Sequence, residues 1–414
     1  MKDKFDEIRP YYDSEIPEAM KRIAESPMLP LVASYVYPSM SLDDVRKMLL
    51  GFNTIRDFQY GVMYDVNKRI IANSISEFTC SGVEQLQKEV AYLYVSNHRD
   101  IMLDASLLQN VLVDAGLGTS QITFGANLMV NQLVIDIGKS NKMFKVERPG
   151  NSAKEFYKKS LYLSEYIRSV ITELRESIWI AQRNGRTKDG NDLTDQGIIK
   201  MFGMSEPTDS RRGGSLIKQC LMSLSPQTTD SRPWRESDKT LSNCQPPQTA
   251  DKIKALADLN IVPVSVSYEW EPCDILKALE LYESQFTRYT KKPGEDLNSI
   301  LTGILQPKGR VHFEICKPIT TEELMCYEHQ TNSEYHKSVA RLIDERILSA
   351  YRLYPNNYIA HDLLYGNTKY KAMYTDEQYD AFMRRVAKLN KYDTCDIERL
   401  KEIFIGIYAN PVKV

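Results

Sequence analysis

Between residues 88 and 320, short runs of β-branched and aromatic residues alternate with longer amphipathic stretches. VAYLYVSN (90–97), ITFGA (122–126), MFKVER (143–148), SIWIAQ (177–182), IVPVSVSYE (261–269) and GRVHFEICKPI (309–319) read as strands. IMLDASLLQNVLVDAG, NLMVNQLVIDIG and AKEFYKKSLYLSEYIRSVITELRES read as the helices between them. Strands separated by helices predict an α/β fold, a largely parallel sheet flanked by helices. Pro263 cannot donate to a ladder, so it should lie at a strand start or a sheet edge.

The pattern differs at the two ends. Residues 1–85 read as helical, with little strand signal, and Ser41 caps SLDDVRKMLLGF ahead of an acidic first turn. The apolar, proline-punctuated SPMLPLVASYVYPSM is either core or a face that touches a membrane. Beyond 320 the chain turns helical again, through SVARLIDERILSAYRLY and DEQYDAFMRRVAKLN. The expected organisation is therefore an N-terminal helical region (1–85), an α/β core (86–320) and a C-terminal helical region (321–414). Within the core, residues 205–249 are rich in Ser, Thr, Pro, Gln, Asp and Arg and mostly lack periodicity. A structureless stretch of that length reads as a mobile insertion, or else as a functional lid.

The 414 residues are 42% hydrophobic and 26% charged, with a net charge of −2, an ordinary globular balance that gives no support for nucleic-acid binding. An anionic ligand would need a local basic cluster. Seven widely spaced cysteines without a CxxC argue against a disulfide framework or a zinc site and fit a reduced, cytosolic compartment. The charged N-terminus does not read as a signal peptide. No run approaches the roughly 18 apolar residues of a spanning helix. Contact with lipid would be made from the membrane surface.

Four segments carry candidate chemistry. SNHRDIMLDAS (96–106) places His98 at the end of a strand with Asp100 and Asp104 close by. A histidine base needs an acid to fix its tautomer and stabilise its charged form, and either aspartate fits. GANLMVNQLVIDIGKSNKMFKVERPG (125–150) ends a strand in Lys145, Glu147 and Arg148, and ligand crevices of open α/β sheets lie at such carboxyl ends. IWIAQRNGRTKDG (178–190) follows an apolar strand with a glycine turn carrying Arg183, Arg186 and Lys188. Gly185 permits close backbone approach there, and guanidinium groups grip phosphate in pairs of bonds. IVPVSVSYE is the fourth.

In this order the segments resemble the glycerolipid acyltransferase family, which includes the bacterial glycerol-3-phosphate and 1-acylglycerol-3-phosphate acyltransferases; the chain as a whole is similar to a Bacteroidetes-type group. The likeness covers roughly residues 88–270. The family's His, four residues, Asp block is matched by His98, with Arg99 following as in the glycerol-3-phosphate branch. Gly125 to Leu128 and Phe144 to Arg148 match the second block, RNGRTKDG resembles the Glu-Gly-x-Arg third block, and Val262, Pro263 and Val264 match the fourth. Two departures stand out. Asp104 lies six positions after His98 rather than five, with Asp100 two after, and the third block has Arg183 or Asn184 where the family has glutamate.

The resemblance implies direct acyl transfer in phospholipid biosynthesis. His98 would be the general base, with Asp104 or Asp100 as its acid. Arg99, Phe144, Arg148, Asn184, Gly185, Arg186, Lys188 and Pro263 would be the substrate-binding set. It implies no metal and no tightly bound cofactor; acyl-CoA or acyl carrier protein would serve as co-substrate. The expected partners are that donor carrier, a glycerol-phosphate lipid acceptor, and the inner face of the cytoplasmic membrane, where the chain would sit peripherally. The acyl channel is expected among the Met- and Leu-rich runs near 101–113 and 127–136. Other readings are transfer to glycerol-3-phosphate or to an amino-acid lipid, thioester hydrolysis, and a non-catalytic lipid-binding relative.

Overall fold

A computed structural model describes residues 4–147, 152–205 and 249–412, and its centre is one seven-stranded sheet in the order β1-β7-β6-β2-β5-β3-β4. The strands are β1 (Ile75–Ser81), β2 (Leu93–Ser96), β3 (Gln121–Gly125), β4 (Met143–Val146), β5 (Ile178–Ala181), β6 (Ile261–Tyr268) and β7 (Gly309–Ile315). Strands β2 to β6 run parallel to one another. β7 is antiparallel to β6 and parallel to β1. The protein is thus α/β, with a mostly parallel sheet flanked by helices.

β1 corrects the expectation that residues 1–85 are helical. Two features hide it. It follows the helix Tyr64–Ser74 with no intervening turn residue, and its register slips between Ile75 and Glu77, which breaks the two-residue alternation. Pro263 is a second correction. It lies inside β6, with β2 on one side and β7 on the other. Its carbonyl accepts from Cys316 N (3.0 Å), so its nitrogen faces Cys316 too, one residue past the end of β7. The proline therefore gives up one bond at the point where the β6–β7 ladder stops.

Pleat alternation divides the core. Leu93 and Val95 of β2, Ile178 and Ile180 of β5 and Ile261 of β6 pack under the helices Ala153–Thr172 and Asn332–Ala350. Tyr94, Trp179, Val262 and Val264 face the opposite way, onto Leu103, Leu107, Leu108 and Val111 of the helix Leu103–Asp114. Each such aliphatic side chain contributes about 1.5–3 kcal/mol on burial. In the helix Leu29–Val36, Leu29, Ala33 and Val36 are buried, whereas Leu31 is 65% exposed. No helix among the described residues is long and apolar enough to cross a membrane. Residues 206–248, nearly all of the expected insertion, lie outside the described residues, as does Arg148.

Candidate active site

The backbone leaves β2, runs through Asn97, His98 and Arg99, bends at 100–102, and enters the helix Leu103–Asp114. That turn is wrapped around one carboxylate. Asp104 Oδ2 accepts from the amides of Arg99 (2.6 Å) and Asp100 (2.9 Å) and lies 3.0 Å from His98 Nδ1. Its other oxygen accepts from the Tyr268 hydroxyl (2.8 Å). Of the two acids the sequence left open, Asp104 is the one beside His98. Asp100 does something else. Its Oδ1 serves the amides of Met102 and Leu103, both at 2.9 Å, at the start of the helix. Its Oδ2 is buried without a hydrogen-bond partner. Burial first, and then the charge of Asp104, push its pKa up.

With Nδ1 engaged, Nε2 is the ring nitrogen available to the cleft that His98 lines. The imidazole meets Trp179 edge-on, centroids 5.7 Å apart. Below it, His98 O accepts from Thr187 N (2.7 Å), which ties the histidine turn to the loop after β5. Gly185 in that loop has φ +74°, the left-handed region that favours glycine, while no atom crowds its Cβ position. The requirement there is conformational rather than steric.

The cleft holds about 940 Å³ and opens at the carboxyl ends of β2, β3, β4 and β5, where a doubly wound sheet places ligands. The loop after β5 contributes Asn184, Gly185, Arg186 and Lys188 to its wall. Arg186 donates to Ser299 Oγ (3.1 Å) through Nη2, while its Nη1 is buried with no partner. Lys188 is paired with Glu280. Lys145 and Glu147 line the cleft as a pair 2.9 Å apart. The apolar wall comes mainly from Phe156 and Leu163 of the helix Ala153–Thr172, from Met201 of the helix Gln196–Phe202, and from Met204 just beyond it. Of the two runs expected to line the channel, that near 127–136 contributes Leu128. The run near 101–113 is mostly core, with Leu103, Leu107, Leu108 and Leu112 fully buried, and only Ile101 from it lines the cleft.

Three of the residues expected to bind substrate are placed elsewhere. Arg99 is 1% exposed, and its guanidinium is committed to Asp192 (2.6 Å) and Glu271 (3.0 Å), 5.0 Å from the centre of the Tyr351 ring. Lys277 completes the group, bonding Glu271 (2.5 Å) and Arg99 O (2.6 Å). Two buried cations and two buried anions thus pin the turn carrying His98 from beneath, and Arg99 has no donor for a ligand in the cleft. Phe144 is fully buried against Tyr166, ring centroids 5.0 Å apart, and does not line the cleft. Pro263 is buried within the sheet. Sequence reasoning missed Tyr268, Asp192, Glu271 and Lys277, whose partners come from far along the chain. Among the described residues no cluster of His, Cys, Asp and Glu is arranged to hold a metal ion.

No protein-family model and no curated protein matches this chain. Among solved structures, the chain is similar to the 1-acyl-sn-glycerophosphate (LPA) acyltransferase PlsC from Thermotoga maritima. The TM-score is 0.35 and the identity 11%, over 81% of this chain and 96% of that one.

Proposed function

We propose that the chain is an acyltransferase that moves a fatty acyl group from a thioester donor to the hydroxyl of 1-acylglycerol-3-phosphate, with His98 as the general base. One observation carries the reading: a histidine whose Nδ1 is held by a buried aspartate presents Nε2 to a large cleft with one apolar wall and one basic wall. That is the arrangement a base needs to take a proton from an alcohol beside a lipid chain. In the reaction, Nε2 removes the acceptor's hydroxyl proton as the oxygen bonds to the thioester carbonyl carbon. The C–S bond then breaks, and the thiolate leaves with the proton from the imidazolium. The products are an ester, here phosphatidic acid, and a free thiol. No acyl-enzyme is required.

Arg186 is the anchor we assign to the acceptor phosphate, because it stands at the cleft wall and its guanidinium is held by a neutral hydroxyl, Ser299 Oγ, rather than by a bonded carboxylate. Asn184, Gly185 and Lys188 flank it. Acyl-CoA or acyl carrier protein is the donor in this reading, and no tightly bound cofactor enters the chemistry. A lipid acceptor puts the reaction at a membrane surface. The chain would then act peripherally, on the inner face of the cytoplasmic membrane, with exposed Met28, Leu31 and Val32 turned to lipid.

The test is thiol release from palmitoyl-CoA and from palmitoyl-acyl carrier protein. The acceptors are 1-acylglycerol-3-phosphate, glycerol-3-phosphate, a phosphate-free lipid alcohol, or none. Release that requires 1-acylglycerol-3-phosphate and yields phosphatidic acid supports the reading. Release with glycerol-3-phosphate alone moves the acceptor to the smaller phosphate. Release without any acceptor makes the protein a thioesterase, and no release with any combination overturns the proposed function.

The apolar wall makes a second expectation. Met201 is 8% exposed and borders the cleft. Met201→Trp should shorten the space for the acyl chain. At about 0.8 kcal/mol for each methylene forced out of apolar contact, preference for a lauroyl over a palmitoyl donor should rise at least about tenfold in kcat/KM. An unchanged ratio would place the acyl chain elsewhere.

A further inference from the structure

We infer that Tyr268 is a positioning residue for the His98–Asp104 pair, its hydroxyl holding the free oxygen of Asp104 and drawing off part of the charge that would otherwise bind the imidazole proton. The inference deepens the proposed function and rests on His98 being the base.

The geometry is asymmetric. Asp104 is fully buried, so both of its oxygens depend on protein donors. Oδ2 has three: His98 Nδ1 at 3.0 Å, Arg99 N at 2.6 Å and Asp100 N at 2.9 Å. Oδ1 has one, the Tyr268 hydroxyl at 2.8 Å. Tyr268 is the last residue of β6, opposite Val311 of β7, and is 1% exposed. It does not line the cleft, so it touches no substrate there and acts through Asp104. The phenol also stays a donor across the working pH range, because burial, and then the charges of Asp104 and Asp100, hold its pKa well above the usual tyrosine value.

The consequence is chemical as well as geometric. A carboxylate that receives a strong hydrogen bond on one oxygen attracts a proton less on the other. Tyr268 should therefore weaken Asp104's grip on the Nδ1 proton. Without the hydroxyl, Asp104 stabilises imidazolium more, and the midpoint of His98 rises. This is the logic by which outer partners tune a ligating histidine at metal sites, applied here to a base.

The other charged groups around the pair are Asp100 beside Asp104, Arg186 and Lys308 acting on Asp100, and Glu271 acting on Tyr268. All are the same in wild type and variant, so a difference between the two titrations belongs to the hydroxyl. The experiment is an NMR titration of the full chain carrying 13C-labelled histidine, with the His98 signal assigned by its loss in His98→Gln. Tyr268→Phe should raise the His98 midpoint by about half to one pH unit, and Asp104→Asn should lower it. If Tyr268→Phe does not fold, 3-fluorotyrosine placed at position 268, a stronger donor, should move the midpoint down instead. A midpoint that stays within about 0.2 of a pH unit of wild type, or moves the other way in either variant, overturns the inference. The titration needs no turnover. A failed acyl-transfer assay with a shifted His98 therefore sinks the proposed function and leaves standing only the coupling of Tyr268 to the His98–Asp104 pair. Where transfer is observed, the acid limb of kcat/KM should move up in Tyr268→Phe by the same interval, which a merely structural tyrosine would not produce.

Discussion

Replacing His98 with alanine should lower kcat for acceptor-dependent thiol release about 10²–10⁴-fold, the range that a positioned general base supplies. The acceptor KM should change little, since binding is assigned to the loop after β5 and not to the imidazole. The protein should stay folded, because Asp104 keeps the Arg99 and Asp100 amides and the Tyr268 hydroxyl when the ring is gone. No buried carboxylate is left without donors, which is the usual cause of a large loss on truncation. The lost contact with Trp179 is the main structural cost. Steady-state kinetics and a thermal melt on the same preparation check both halves. A variant that melts like wild type and keeps its kcat would remove His98 from the chemistry. One that loses activity together with its melting transition would show only that the turn had collapsed.

What could be read from the sequence follows from how far each interaction reaches along the chain. His98 and Asp104 lie in one eleven-residue segment that ends a strand and starts a helix, so spacing alone brought the right groups together. It did not choose between the two acids. That choice depends on the backbone turn that points two amides and Nδ1 at Asp104 while Asp100 serves the helix start. The RNGRTKDG loop was legible because a merely solvated run of charge does not normally follow so apolar a strand directly. Arg99 was misread for the opposite reason. Its partners Asp192 and Glu271 are 93 and 172 positions away, and a buried arginine beside a candidate histidine looks the same in sequence as one that binds phosphate. Tyr268 lies 164 positions from Asp104 and reads only as one more residue of a β-rich run. Phe144 failed on burial: its strand does reach the cleft, but through Lys145 and Val146, with Glu147 just past its end.

The correction at Arg99 leads to the largest stability effect. Arg99→Ala should reduce the free energy of unfolding by about 3–5 kcal/mol, the cost of removing one partner from a buried ion pair. Asp192 would keep its bonds from Asn97 and Thr187, and Glu271 its bond from Lys277. The four charges that now balance would nevertheless become two anions and one cation in a region that water does not reach. A domain's whole stability is only about 5–15 kcal/mol, so the variant should unfold at much lower urea. Lys188→Ala supplies the contrast. Lys188 is 33% exposed in its pair with Glu280, whose side chain is only 6% exposed, so its loss should cost more than the roughly 1 kcal/mol of a surface pair but less than that of Arg99, which is buried together with both of its partners. Urea denaturation of both variants, with the acceptor KM measured alongside, separates two roles that the sequence could not. A large loss of stability in Arg99→Ala and a smaller one in Lys188→Ala would make Arg99 a brace beneath the histidine turn. Wild-type stability with a raised acceptor KM in Arg99→Ala would return it to the phosphate site and overturn its placement here.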